Sequence, residues 1–238
     1  MTTLLELRSV SKTIGGLTIL NKLSLSLGQG EALGVLGPNG AGKTTMLNLI
    51  SGDLPVTSGE IWFDGHDITK VPAHQRSRLG IARTFQIPRP FGGMTVFENV
   101  IVGATYSGRV AGSLQAQCRA VLDQTGLIGK HDIAAGNLRL LDRKRLELAR
   151  ALATAPRLIL LDEIGGGLIE PEVRDLLGII ADLRSQGITV IWIEHVIHAL
   201  ASAVDRILAM NFGTRLAEGP PQQILDSKEF QELYMGVE

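Results

Sequence analysis

The stretch Gly37-Pro38-Asn39-Gly40-Ala41-Gly42-Lys43-Thr44-Thr45 decides the reading of this chain. Its first eight residues match G-x-x-x-x-G-K-[ST] in full. The apolar run Ala32 to Leu36 in front of it reads as a short strand. From Lys43 the spacing turns helical, with Met46, Leu47 and Ile50 on one face and Gly52 as the stop. Glycines let the backbone curl so that several N–H groups face inward, and the helix that starts there adds the positive end of its dipole. Such a loop is built for phosphate. Lys43 is suited to neutralise β- and γ-phosphate charge, and the Thr44 hydroxyl to hold Mg²⁺. ATP with Mg²⁺ is therefore the expected ligand of Gly37 through Thr45.

A phosphate loop of this kind needs a carboxylate on the metal side. Leu158-Ile159-Leu160-Leu161-Asp162-Glu163 offers one at the end of an apolar strand. Asp162 is placed to hold the metal's water shell, and Glu163 to polarise an attacking water as general base. By itself this pair could equally be a solvated strand end. Beside a complete phosphate loop the chemical reading is the stronger.

Working outward, Leu4 to Val10 and Ile19 to Leu27 read as strands around a Gly15-Gly16 turn, and Glu60 to Phe63 as a strand ended by Asp64-Gly65. Residues 94–150 read as mostly helical, with one clear helix from Arg143 to Thr154. Pro171 to Arg184 is amphipathic, with Val173, Leu176, Leu177, Ile180 and Leu183 sharing a face. Ile188 to Ile193 is a second buried strand. Buried strands alternating with helices predict an α/β core with a parallel sheet. The predicted division is one domain over 1–238, with a core over about 1–86 and 157–238 and a helical insert over about 87–156.

The 238 residues carry a net charge of -1, which excludes a global basic field for nucleic acid or anionic lipid. The single cysteine, Cys118, allows no internal disulfide and suits a reducing compartment. The apolar stretches around 158–161 and 188–200 are broken by Asp162, Glu163, Glu194 and His195, short of the roughly 20 residues a spanning helix needs. Nothing in Met1 to Ser9 reads as a signal peptide. The expected place is the cytoplasm, and any membrane role must run through a partner.

The order of these motifs resembles that of ABC transporter ATPases, over nearly the whole chain. The resemblance implies a P-loop core with an antiparallel β subdomain and an inserted helical subdomain. It implies that Gln86, in Ala82-Arg83-Thr84-Phe85-Gln86, touches Mg²⁺ and the attacking water and links them to a membrane subunit. It implies that His195, in Trp192-Ile193-Glu194-His195, contacts the γ-phosphate. Position 14, where the family places an adenine-stacking ring, is Ile14. The phrases Met94-Thr95-Val96-Phe97-Glu98-Asn99-Val100, Leu148-Ala149-Arg150-Ala151-Leu152-Ala153-Thr154 and Asn211-Phe212-Gly213-Thr214 look like the ATP-binding subunits of branched-chain amino acid importers. Implied partners are transmembrane permease subunits at the inner face of the cell membrane and, indirectly, a periplasmic solute-binding protein. Phe85, Pro88, Pro90 and Phe91 are the expected contacts to the permease.

The chain departs from the family where a signature of Leu-Ser-Gly-Gly-Gln type is expected. It reads Leu138-Arg139-Leu140-Leu141-Asp142 instead, and Asp142 is placed to cap a helix starting near Arg143. Ile169 stands where a polar residue is common. Ile164 replaces a frequent proline, and Gly165-Gly166-Gly167 reads as a flexible turn. These departures predict a heterodimer with a second ABC ATPase that carries a complete signature. Competing readings are the ATPase of a lipid-handling ABC system, a non-catalytic nucleotide-binding regulatory subunit, a soluble P-loop kinase, and an ABC ATPase of DNA repair or translation. The kinase reading lacks a use for Gln86 and His195, and the repair reading lacks a coiled-coil insert.

Overall fold

The computed structural model describes residues 2–109 and 112–235, the side chains of 233–235 excepted. Met1, residues 110–111 and residues 236–238 lie outside them, as does the side chain of Tyr234, which with Ile224 and Phe230 the sequence predicts to pack on the core. Two sheets share the chain. β1 (Thr3–Ile14), β2 (Leu17–Gly28), β4 (Ser58–Phe63) and β5 (His66–Asp67) form an antiparallel sheet in the order β2-β1-β4-β5. The Gly15-Gly16 turn joins β1 to β2 as expected, with Ile14 opposite Leu17. The second sheet contains β3 (Ala32–Leu36), β6 (Ile81–Arg83), β7 (Leu158–Asp162), β8 (Thr189–Ile193), β9 (Arg206–Asn211) and β10 (Thr214–Gly219), in the order β10-β9-β3-β8-β7-β6. All its pairings are parallel except β9 with β10.

β3, β7 and β8 are buried at every position. Their side chains alternate between two cores, which is why they read as unbroken apolar runs. Leu158, Leu160, Ile191 and Ile193 pack in one core with α1 (Lys43–Ser51) and the antiparallel sheet. Ile159, Leu161, Val190 and Trp192 pack in the other. There they meet α3 (Val96–Ser107), α4 (Leu114–Gln124), α5 (Leu140–Ala153) and α6 (Glu170–Ser185). Helices α3, α4 and α5 also pack on one another, and they occupy the segment for which the sequence predicts a helical insert. Thr95 caps α3 in a reciprocal box with Glu98. The C-terminal helices α8 (Pro221–Leu225) and α9 (Lys228–Met235) bury Ile224 and Phe230 against the same core, as expected. No helix among the described residues is long and apolar enough to cross a membrane.

Two expectations are corrected here. Helix α5 begins at Leu140, three residues before the predicted start, and Arg139 precedes it without a side-chain cap. Asp142 is therefore inside the first turn. It is buried, accepts a hydrogen bond from Lys130 Nζ at 2.5 Å, and lies 3.9 Å from Arg145. The pairing with Lys130 and Arg145 draws its carboxylate away from a capping role. At Gly165 the glycine turn after Glu163 is also not a mere spacer. A Cβ on Gly165 would sit 2.9 Å from the Glu194 carboxylate, which accepts the Gly165 N–H at 3.0 Å. The residue is small because a buried charge presses on its backbone.

Helix α1 carries Lys43 at one end and is tied down at the other. It has no basic residue in its last turn. Arg76, on α2 (Ala73–Leu79), supplies one from outside. Its guanidinium is 2% exposed and donates to the carbonyls of Leu49 (2.6 Å), Ile50 (3.0 Å), Val71 (2.7 Å) and Thr69 (3.0 Å). The first two are orphan acceptors of the helix end, and the positive charge also complements its dipole. Replacing Arg76 by Met should cost about 2–4 kcal/mol of stability, because buried carbonyls lose a charged donor. Urea denaturation measures this, and a loss near zero would show that water reaches those carbonyls.

Candidate functional site

The parallel strands β3, β7 and β8 end at one edge of the sheet, and the loops leaving them build the site. β3 runs into Gly37 to Gly42. Gly42 has φ +95°, and a Cβ there would lie 2.9 Å from the Ile19 carbonyl. Only glycine fits this left-handed, crowded position. Helix α1 then starts at Lys43 with no acidic residue in its first turn, so its positive end is not neutralised locally. The Lys43 ammonium is buried and donates to the carbonyls of Gly37 (2.6 Å) and Pro38 (3.1 Å). Burial lowers its pKa, and the charges of Glu163 and then Asp162 oppose that shift.

A cavity of about 320 Å³ opens over this loop, lined by Asn39 to Thr45, Glu163, Leu17 and Ile19. Ile14 is half-exposed at the neighbouring hairpin end and does not line it. The apolar contacts beside the loop are thus Leu17 and Ile19, which the sequence reading passed over. They lie on the strand after the turn, where no motif marks them.

β7 delivers Asp162, 3% exposed, to the far side of the loop. Thr44 Oγ1 donates to its Oδ1 at 3.4 Å, and Arg83 Nη2 to its Oδ2 at 3.0 Å. Burial raises the Asp162 pKa, and Arg83 opposes this through its charge and hydrogen bond. Arg83 also bridges to Asp53 at 3.0 Å and to Asn48, which ties β6 to α1. The donors facing each other here, a hydroxyl and a carboxylate, are hard oxygens, and they fit Mg²⁺.

Glu163 follows with φ +48°, an uncommon conformation for a side chain of this size. Its N–H donates to Ile193 at 2.9 Å, so β8 holds it in place. The turn aims its carboxylate along the sheet edge. One oxygen lies 2.7 Å from His195 Nε2, and the other accepts from Gln86 Nε2. Gln86, Glu163 and His195, far apart in sequence, therefore meet at one carboxylate. His198 lies exposed further along on α7 (Ile197–Ala203).

Two further buried charges support this cluster and were not singled out from the sequence. Lys144 of α5 donates to the carbonyls of Gln86 and Glu163, both at 3.2 Å. Burial lowers its pKa, opposed by the charges of Glu194 and Glu163. Glu194 accepts from the N–H groups of Gly165 and His195, each at 3.0 Å. Taken together, the arrangement offers a phosphate cradle, a carboxylate facing Thr44, and a second carboxylate, Glu163, lining the cavity over the loop. It suits hydrolysis of a nucleoside triphosphate.

Comparisons with known proteins agree with this geometry. A family model described as ABC transporter matches residues 20–165. The chain is similar to the high-affinity branched-chain amino acid transport ATP-binding protein BraF of Pseudomonas aeruginosa, with 35% identity over 98% of each chain. It is 33% identical to the probable branched-chain amino acid transport ATP-binding protein LivG of Archaeoglobus fulgidus, covering 99% of this chain and 96% of that one. Among solved structures it resembles the ADP conformation of MJ1267, an ATP-binding cassette of an ABC transporter, with a TM-score of 0.91 at 29% identity and full coverage of both chains.

Lys43→Ala should weaken Mg²⁺–ATP binding about 10- to 100-fold, the expected loss for a buried charge-assisted contact. A fluorescent-nucleotide titration checks it. Unchanged affinity would sink the assignment of the loop.

Proposed function

The chain belongs to the ABC transporter family as an ATP-binding, ATP-hydrolysing subunit, and from that premise we propose that it energises import of branched-chain amino acids or a related small polar solute. The observation that carries the catalytic part is the meeting of Glu163 with Gln86 and His195 beside the phosphate loop. The substrate class is supported by relatives that match it end to end. In this reading the chain sits peripherally on the inner face of the membrane, bound to permease subunits, and a solute-binding protein delivers the cargo. The exposed rings of Phe85 and Phe91, each under an arginine (Arg83 and Arg150), offer a surface for the permease.

The chemistry follows from the residues present. The loop amides and Lys43 hold the β- and γ-phosphates. Leu17 and Ile19 give the base apolar contact, with Ile14 beside them. Thr44 and Asp162 would hold the metal, and Gln86 would act on it from its place against Glu163. Mg²⁺, when bound, neutralises phosphate charge and orients the γ-phosphoryl group. Glu163 takes a proton from the attacking water, and His195 steadies both that carboxylate and the charge developing on the phosphate.

The altered signature shapes the second half of the proposal. ABC ATPases of this type work as pairs, each subunit closing the other's nucleotide site. At the start of α5 this chain presents Arg139, Leu140 and Leu141, and it holds its own buried carboxylate, Asp142, in the first turn. A helix N-terminus that already contains an anion is a poor seat for a phosphate. The partner is therefore a second ATPase with a complete signature. The competent site combines Lys43, Asp162, Glu163 and His195 of this chain with that signature.

In the assembled transporter, Glu163→Gln should abolish solute-stimulated ATP turnover, while the equivalent change in the partner ATPase leaves most of it. Turnover that survives Glu163→Gln but disappears with the partner's change would reverse the assignment. Stimulation by leucine, isoleucine or valine with the binding protein tests the cargo.

A further inference from the structure

The groups that hold the hydrolytic cluster in place are themselves charged and almost fully out of water. Lys144 is 4% exposed and Glu194 2%. The ammonium spends its hydrogen bonds on two backbone carbonyls, those of Gln86 and Glu163. The carboxylate spends its own on two backbone amides, those of Gly165 and His195. The four peptide groups belong to three separate loops: the one after β6, the turn after β7 and the one after β8. A buried ammonium or carboxylate is costly unless it is paired and hydrogen-bonded. Ordinary stabilisation of these loops needs neither charge, since neutral donors and acceptors serve. What opposite charges add is rigidity of orientation at the residues that carry Gln86, Glu163 and His195.

We propose that Lys144 and Glu194 are positioning residues for ATP hydrolysis, a complementary pair of backbone clamps that aims Gln86, Glu163 and His195 at one point. The inference rests on the reading of those three as the hydrolytic groups. Lys144 does more than its counterpart, because it sits on α5, the helix that begins with the altered signature. Any shift of that helix moves the ammonium, and with it the carbonyls of Gln86 and Glu163. The clamp thereby connects the signature end of the chain to its own hydrolytic site. Neither residue reaches the phosphate loop, so nucleotide binding does not depend on them. The Glu163 backbone, at φ +48°, makes the clamp necessary. A strained turn holds its side chain in place only if its surroundings over-determine it.

The test uses the full transporter assembled with its partner subunits. Turnover, KM for ATP and fluorescent-nucleotide affinity are measured for Lys144→Met, Lys144→Arg, Glu194→Gln and the control Glu163→Gln. Lys144→Met should lower kcat about 10- to 100-fold, the scale expected when catalytic groups are misplaced by about 1 Å. Nucleotide affinity should stay within about twofold, the pattern of a group that acts only in the chemical step. Lys144→Arg should recover most of the turnover, because the adjoining cleft of about 420 Å³, lined by Gln86, Pro88 and Gly167, has room for a guanidinium. Glu194→Gln keeps the volume and one acceptor, and covers the case in which Lys144→Met does not fold; it should show the same split. Wild-type turnover in both Lys144→Met and Glu194→Gln overturns the proposal. So does a parallel loss of affinity and turnover that arginine does not rescue. Wild-type turnover in Glu163→Gln would instead show that the underlying catalytic reading has failed.

Discussion

Charge held out of water at one edge of the parallel sheet is the constraint on which the rest depends. Lys43, Lys144, Asp162 and Glu194 are all buried there, with Glu163 and Arg83 nearly so. None of these could persist alone, because each would cost several kcal/mol without partners. The fold answers by bringing loop ends from four strands, β3, β6, β7 and β8, within hydrogen-bond distance. Backbone carbonyls serve the two ammoniums, and backbone amides serve Glu194. Arg83 serves Asp162, and Gln86 and His195 serve Glu163. A site assembled this way is already polarised, so little reorganisation is left for the moment of reaction.

That constraint also explains the packing beneath. Loops can be held this closely only if the strands below them do not move. β3, β7 and β8 are buried on both faces, and two apolar cores grip them from either side. Arg76 performs a similar service for α1, fixing the end opposite Lys43. The phosphate loop is thus anchored at its strand, at its waist by the Gly213 N–H donating to the Ala41 carbonyl at 3.1 Å, and at the far end of its helix.

What the sequence made legible divides along a physical line. Local chemistry was readable. The Gly37 to Thr45 loop and the apolar run into Asp162-Glu163 each depend on neighbours within a few residues, while His195 is marked only by the family resemblance. Groups whose role is set by distant partners were not. Lys144 looks like any lysine on an amphipathic helix, and only the fold brings it to Gln86 and Glu163. Glu194, beside His195, could be seen but not interpreted until Gly165 was found against it. The glycines at 165–167 suggested looseness because sequence shows the absence of a side chain and not what fills its place. Asp142 misled for the opposite reason. Its type and position suit a cap, but Lys130 and Arg145 claim the carboxylate.

The start of α5 shows how one helix can be altered at its tip and kept along its length. Its first turn has lost the small residues with which an ABC signature approaches phosphate, and has gained Leu140, Leu141 and a paired, buried Asp142. One turn later it still places Lys144 on the site of its own chain. In the proposed pair these two features would serve different nucleotide sites, the first facing the partner's nucleotide and the second supporting the nucleotide bound here. Loss of the first with retention of the second is what is expected of a subunit that keeps its own catalytic groups and relies on a different protein to complete the site. The burial of Lys144, costly in itself, fits a chain in which Glu163 has the catalytic role proposed for it.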